Sequence, residues 1–204
     1  MKQYRYTKFD PQIEIEVDKL IARMTLRDKV MQMTQININH HGREELEARI
    51  RQGAGSILNM YGAELLNPLQ KLAVEESPLG IPLLVGNDVS HGYRTIFPIP
   101  LACSCTWDPA LVEEAARIAA EEAAADGTNW IFAPMVDICR DARWGRIAEG
   151  AGEDPYLGRA MARAQVRGFQ SALANGRRIV ACPKHFAAYG ATEDGRDYNT
   201  VDIS

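Results

Sequence analysis

Ile179-Val180-Ala181-Cys182-Pro183-Lys184-His185 runs an apolar strand straight into two adjacent cationic or donor side chains. Burying such groups costs free energy unless something polar pairs with them. The stretch therefore reads as a strand whose C-terminal tip faces a polar ligand. The loop behind it, residues 186–198, mixes small, aromatic and charged side chains. The same order, apolar strand and then polar tip, recurs upstream. Residues 82–86 lead into Asn87-Asp88, and residues 130–136 lead into Asp137 and the charged run 140–146. A further short strand is read at residues 55–59.

Helical segments separate these strands. Residues 64–76 form one, and Asp108-Pro109 opens an alanine-rich helix to about residue 125. Asp154-Pro155 opens another to about residue 174. Aspartate followed by proline combines an N-cap acceptor with a residue whose φ suits the first helical position. Upstream, Val17, Leu20, Ile21 and Met24 recur at helical spacing. Thr25 with Asp28 marks a second helix start, and residues 44–52 form another helix ending at Gly53.

Continuous apolar strands alternating with capped helices predict a parallel sheet buried on both faces. A doubly wound nucleotide binder needs a glycine-rich loop after its first strand, and Asn59-Met60-Tyr61-Gly62 is not one. Polar groups gathered at several strand ends are the habit of a (β/α)8 barrel. The expected fold class is α/β: the N-terminal half of a (β/α)8 TIM-like barrel with parallel strands, preceded by N-terminal helices. Residues 1–53 are the helical segment, and 54–204 supply four β/α units of one partial domain.

Composition narrows the function. The chain is 46% hydrophobic and 25% charged, with a formal net charge of -4 and a pI near 5.6. An acidic chain without a basic stripe is not a nucleic-acid binder. No apolar run reaches the roughly 18 to 20 residues that span a bilayer. The polar start, Met1-Lys2-Gln3-Tyr4-Arg5-Tyr6, does not resemble a signal peptide, so a cytoplasmic location is expected. The spacing of Cys103, Cys105, Cys139 and Cys182 fits no zinc ribbon, and reduced thiols are expected, with Cys103 and Cys105 on one face of a strand. His40, His41 and His91 form no metal-ligand pattern with carboxylates, and no metal or other cofactor is expected.

Several residues suit a hydroxyl-rich ligand. Asp88 is either a loop cap or a carboxylate accepting from substrate hydroxyls, kept ionised by Arg94. Arg143 is expected in a plain salt bridge to Glu149 or Glu153. Arg146 suits substrate, because a guanidinium fork holds two hydroxyls or orients a carboxylate. Trp144 is either a sugar-stacking platform or packing beneath its loop. Lys184 and His185 form the strongest pair. A Schiff-base role for Lys184 has no evident partner to activate the amine and ranks last.

Together these residues resemble glycoside hydrolase family 3, with bacterial β-glucosidases the nearest branch. The resemblance runs from Met24-Thr25-Leu26-Arg27-Asp28-Lys29 through Gly86-Asn87-Asp88-Val89-Ser90-His91-Gly92. It continues through Ala133-Pro134-Met135-Val136-Asp137-Ile138, Arg143-Trp144-Gly145-Arg146 and Gly152-Glu153-Asp154-Pro155-Tyr156-Leu157. It closes on Lys184-His185-Phe186-Ala187-Ala188-Tyr189-Gly190 and Tyr198-Asn199-Thr200-Val201-Asp202. Ala142 departs from the proline common there.

The resemblance implies hydrolysis of terminal, non-reducing β-D-glucosyl residues with retention, without a cofactor. Asp88 would bind hydroxyls at the far edge of the ring. Arg146, Lys184 and His185 would grip the others, with Arg94 and Arg196 orienting or supporting them. The family's nucleophile and acid/base would lie beyond residue 204, so no residue here is assigned either role. Asp194, Asp197 and Asp202 are poor substitutes in one loop. The histidine of the family's β-N-acetylglucosaminidases is absent from Ala187-Ala188-Tyr189-Gly190, which favours the glucosidase branch. A β-xylosidase and a sugar-binding remnant without catalysis are the alternatives. The expected partners are a β-glucoside or oligosaccharide, with neither nucleic acid nor membrane. Self-association, or a chain supplying the rest of the barrel, is expected from the unpaired sheet edges.

Overall fold

A computed structural model describes residues 11–171 and 179–203. Two helices, α1 (Pro11–Arg23) and α2 (Leu26–Gln32), lead to strand β1 (Gln35–Asn37) and helix α3 (Arg43–Arg51). Then come β2 (Ser56–Leu58), α4 (Ala63–Glu76), β3 (Leu84–Asn87), a short α5 (Pro100–Ser104) and α6 (Pro109–Ala125). The chain continues as β4 (Trp130–Ile131), α7 (Pro155–Phe169) and β5 (Val180–Ala181).

Every strand pair is parallel, and the order is β1-β2-β3-β4-β5. Each strand adds beside its predecessor and the winding never reverses. That is the progression of a barrel wall; a doubly wound sheet has a point where the order switches.

Two local expectations need correction, and a third falls outside the described residues. The 1–53 segment is not helical throughout: it contributes β1, so the described residues hold five strands instead of four. Only Ile36 of that strand is buried, which leaves almost no hydrophobic pattern to read. Pairing with β2 makes it a strand, beginning at the bond from Ser56 N to Thr34 O, 3.3 Å. Cys103 and Cys105 do not share a strand face. Pro100 starts a helical turn instead, and Cys103 N donates to Ile99 O at 2.9 Å. Helix α7 stops at Phe169, and the expected end near Ala174 lies outside the described residues.

The caps are as the sequence predicts. Asp108 accepts from Ala110 N and Leu111 N, Asp154 accepts from Tyr156 N and Leu157 N, and Thr25 with Asp28 closes a reciprocal capping box.

One face of the sheet is covered throughout and the other only in part, against the expectation of burial on both. Paired residues on parallel strands point to the same side. The rows Ile36–Ile57–Val85 and Asn87–Ile131–Ala181 are buried beneath helices. The opposite rows contain Leu84, 44% exposed, and Val180, 50% exposed. The core is correspondingly split. One cluster joins α3 and α4 to β1–β3, and a second joins α6 and α7 to β4 and β5. Helices α6 and α7 meet at Gly168, where an added Cβ would lie 2.2 Å from Glu113 O.

Beyond β5 the ladder resumes for one bridge. Met135 pairs with Lys184, with Val136 N donating to Lys184 O at 2.6 Å and Lys184 N donating to Pro134 O at 2.9 Å. This bridge sets the residues after β4 and β5 side by side, Asp137 next to His185.

Candidate active site: a charged cluster at the strand ends

Asp88 follows β3 and Lys184 follows β5, two places along the sheet. Lys184 Nζ lies 2.6 Å from Asp88 Oδ1, with the lysine side chain 20% exposed and the aspartate 59% exposed. The Asp88 carboxylate is therefore paired with Lys184, not Arg94. It also lies close enough to Tyr61 for its charge, after burial, to help raise that phenol's pKa.

His185 turns the other way. Its Nδ1 is 2.9 Å from Asp137 Oδ2, and its backbone N donates to the same oxygen at 3.1 Å. Asp137 has only 2% of its side chain exposed. The His185 ring meets Tyr189 edge-on at 4.8 Å, and the Arg146 guanidinium lies over the same tyrosine ring at 5.2 Å. Tyr189 thus joins Arg146 to His185.

Arg146 donates through Nε and Nη2 to the two oxygens of Glu149, at 2.6 and 2.7 Å. This fork holds the Glu149 carboxyl below its usual range, and Lys184 and His185 lower it further. Glu149 and Lys184 also line one small concavity with Ser90, Phe132, Ala133, Met135 and Gln165. Asp88, Arg146, Lys184 and His185 therefore converge on one region at the C-terminal ends of the strands.

Trp144 is wholly buried, so it packs beneath its loop and offers no face to a sugar. Its Nε1 donates to Asp197 Oδ1 at 2.9 Å, and the Tyr189 hydroxyl donates to the same oxygen at 2.7 Å. These bonds, Trp144's first, hold the Asp197 carboxyl low. Burial is the main reason Tyr189 is pushed up to about 12. Arg143 pairs with Asp141 at 2.6 Å, not with Glu149 or Glu153, because the turn at 141–144 folds it back on its own loop.

Of two further expected residues, Arg94 stands outside the cluster, and the Arg196 side chain has no hydrogen bond or ion pair to it among the described residues. Arg94 is 74% exposed and lies 3.4 Å from Asp126. The Glu122 carboxylate on α6 accepts from the backbone N of Arg94 and Thr95, both at 2.8 Å, and this docks the loop away from Asp88. Arg196 is exposed, and its backbone N donates to Glu193 O. Asp137, Glu149 and Tyr189 are the cluster members that the sequence did not single out as site residues. Asp137 had a usable signal, since it follows an apolar strand as Lys184 does. Glu149 and Tyr189 had none beyond their loops.

Among the described residues no group of His, Cys, Asp and Glu is placed to hold a metal ion, and no helix is long and apolar enough to cross a membrane. All four cysteines are free.

Comparison with known proteins agrees with the architecture. The chain is 40% identical over 191 residues to the periplasmic beta-glucosidase of Salmonella typhimurium, covering 92% of this chain and 25% of that protein. It is 36% identical over 153 residues to the periplasmic beta-glucosidase/beta-xylosidase of Dickeya chrysanthemi, 68% of this chain and 23% of that one. The crystal structure of beta-glucosidase from Listeria innocua in complex with isofagomine superposes with a TM-score of 0.84 at 40% identity. That match covers 94% of this chain and 28% of the other. The chain thus spans about a quarter of the length of the relatives it matches.

The two periplasmic names overturn the cytoplasmic expectation. That expectation rested only on the polarity of the first six residues of the sequence.

The sequence model of the glycosyl hydrolase family 3 N terminal domain matches residues 25–204. With a parallel strand wall and converging strand-end charges to support that match, the chain belongs to glycoside hydrolase family 3.

Proposed function

We propose that this chain supplies the glycone-binding part of a β-glucosidase that releases terminal, non-reducing β-D-glucosyl residues with retention of configuration. The observation that carries the proposal is the convergence of Asp88, Lys184, His185 and Arg146 from three successive strand ends. Sugar hydroxyls both donate and accept. Lys184 and Arg146 supply donors for their lone pairs, and Asp88 accepts their protons. Hydrogen bonds to charged groups contribute about 1.5–3 kcal/mol each.

Retention requires two carboxylates about 5–5.5 Å apart. Asp197, the best placed of the loop aspartates, is already occupied by Trp144 and Tyr189. By the resemblance to the family, the nucleophile and the acid/base lie in other parts of the enzyme, so on this reading the chain by itself binds the glycone without turnover. A β-xyloside is the second reading, favoured by the double name of the Dickeya relative. A Schiff-base lyase is disfavoured by the ion pair that engages Lys184. The periplasm is the location these relatives support. Arg94 and Arg196 remain at most outer supports.

Leu84 and Val180, half-exposed in two neighbouring rows of the less covered face, support association of the chain through that face, with itself or with the rest of a barrel. A monodisperse, cooperatively melting monomer in ultracentrifugation would contradict this. The direct test of function is a calorimetric titration with glucose, xylose and isofagomine, using Asp88→Ala as control. Binding lost in the variant supports the reading. Equal binding in both, or none in the folded parent chain, overturns it.

A further inference from the structure

We infer that Asp137 is a positioning residue. It holds the His185 ring in its Nδ1–H form, so that Nε2 is presented to the cleft as a hydrogen-bond acceptor for a ligand hydroxyl. The inference rests on the reading of His185 as a sugar contact.

An ionised carboxylate can only accept. Asp137 Oδ2 lies within reach of both the backbone N and Nδ1 of His185, so both hydrogens come from the histidine. The backbone bond pins the carboxylate, and its near-complete burial leaves no water to replace the ring as its partner. Tyr189 packs edge-on at 80° against the ring, which opposes the flip that would exchange the two nitrogens. Nε2 is then the nitrogen without a protein partner among the described residues.

The cluster has a use for such an acceptor. Lys184 and Arg146 are donors only. Asp88 gives one oxygen to Lys184 and keeps the other for a ligand, and both oxygens of Glu149 are bonded by Arg146. Each ligand hydroxyl carries one proton beside its two lone pairs, and a neutral Nε2 adds an acceptor for such a proton among neighbours that are mostly donors. Ring orientation by an outer carboxylate is a known device for fixing which histidine nitrogen is free.

The test is a 15N–1H correlation of the histidine rings in the full chain, recorded on the basic side of each ring's titration, with His185→Ala assigning the signal. A pyrrole-type Nδ1 and pyridine-type Nε2 are expected for His185. Asp137→Ala should move the ring toward the Nε2–H form that an unconstrained histidine prefers. Asp137→Asn, which keeps an oxygen and loses the charge, should reduce the Nδ1–H population partway. A wild-type ring protonated on Nε2 overturns the inference whatever the variants do. So does an unchanged population in Asp137→Ala, or in Asp137→Asn if the alanine variant does not fold. The spectra need no sugar. A ring in the Nδ1–H form in a chain that fails to bind glucose therefore counts against the proposed function and leaves the role of Asp137 standing.

Discussion

The two faces of the sheet are made of the same strands and have opposite fates. Ile36, Ile57, Val85 and Ile131 point to one side and are essentially inaccessible, while Leu84 and Val180 point to the other and stay about half exposed. The difference is one of sequence distance. Each of the first four strands is followed by a helix that folds back over the first face, so its cover is built within a few tens of residues. The second face is the inside of a barrel wall, and only strands from further along a closing wall can cover it. The charged cluster sits where that open side meets the strand tips.

The largest effect expected from this contrast is on stability. Ile57→Ala on the covered face should cost about 2–5 kcal/mol. Leu84→Ala on the less covered face should cost about 1 kcal/mol, since only about half of that side chain is buried. Denaturant titrations of the two variants decide it, and equal costs would mean that this face is covered in solution.

Next comes binding at the rim between the faces. Arg146→Ala should weaken glucose or isofagomine affinity by about ten-fold or more, the loss of one charge-assisted contact. Arg94→Ala, whose side chain reaches Asp126 instead, should leave it within about two-fold. A calorimetric result in the reverse order would put the cluster in the wrong place.

Packing between α6 and α7 should show a comparable or smaller effect. Gly168→Ala places a methyl against the α6 backbone and should destabilise by about 1–3 kcal/mol. Gly145→Ala, with nothing within 4 Å, should stay within about 0.5 kcal/mol.

The smallest effect is in the acid limb. Glu149 has a folded pKa below its unfolded value, chiefly because Arg146 bonds it. Its contribution to stability is therefore complete above the unfolded pKa, about 4.3. It is lost as pH falls through the lower folded value. Melting temperatures from about pH 6 to about pH 3 should fall less steeply in Glu149→Gln than in the parent. An equally steep acid limb would mean that other carboxylates, such as Asp141 and Asp197, carry it.

Legibility followed the range of the interactions. Asp108, Asp154 and the Thr25–Asp28 box are bonds within three residues, and their letters announce them. The apolar runs at β3 and β4 and the charged tips behind them were equally plain. β1 was not, because one buried isoleucine among polar neighbours becomes a strand only when β2 lies beside it. The same limit governed the site. Lys184, His185, Asp88 and Arg146 were recognisable as residue types in position. Arg94 looked like Asp88's partner because the two are six residues apart, yet Lys184, 96 residues away, holds it.

By itself, then, the sequence determined the alternation of strand and helix, the helix starts, the parallel sense of the wall and the identity of its charged tips. These follow from side-chain periodicity and from hydrogen bonds spanning a few residues. Only the tertiary structure decided which carboxylate meets which cation, that Asp137 stands behind His185, that Trp144 is buried, and that one face of the sheet is covered only in part. Pairings of that kind depend on strand register and loop docking between segments far apart in the chain, where a shift of a few ångströms exchanges one ionic partner for another.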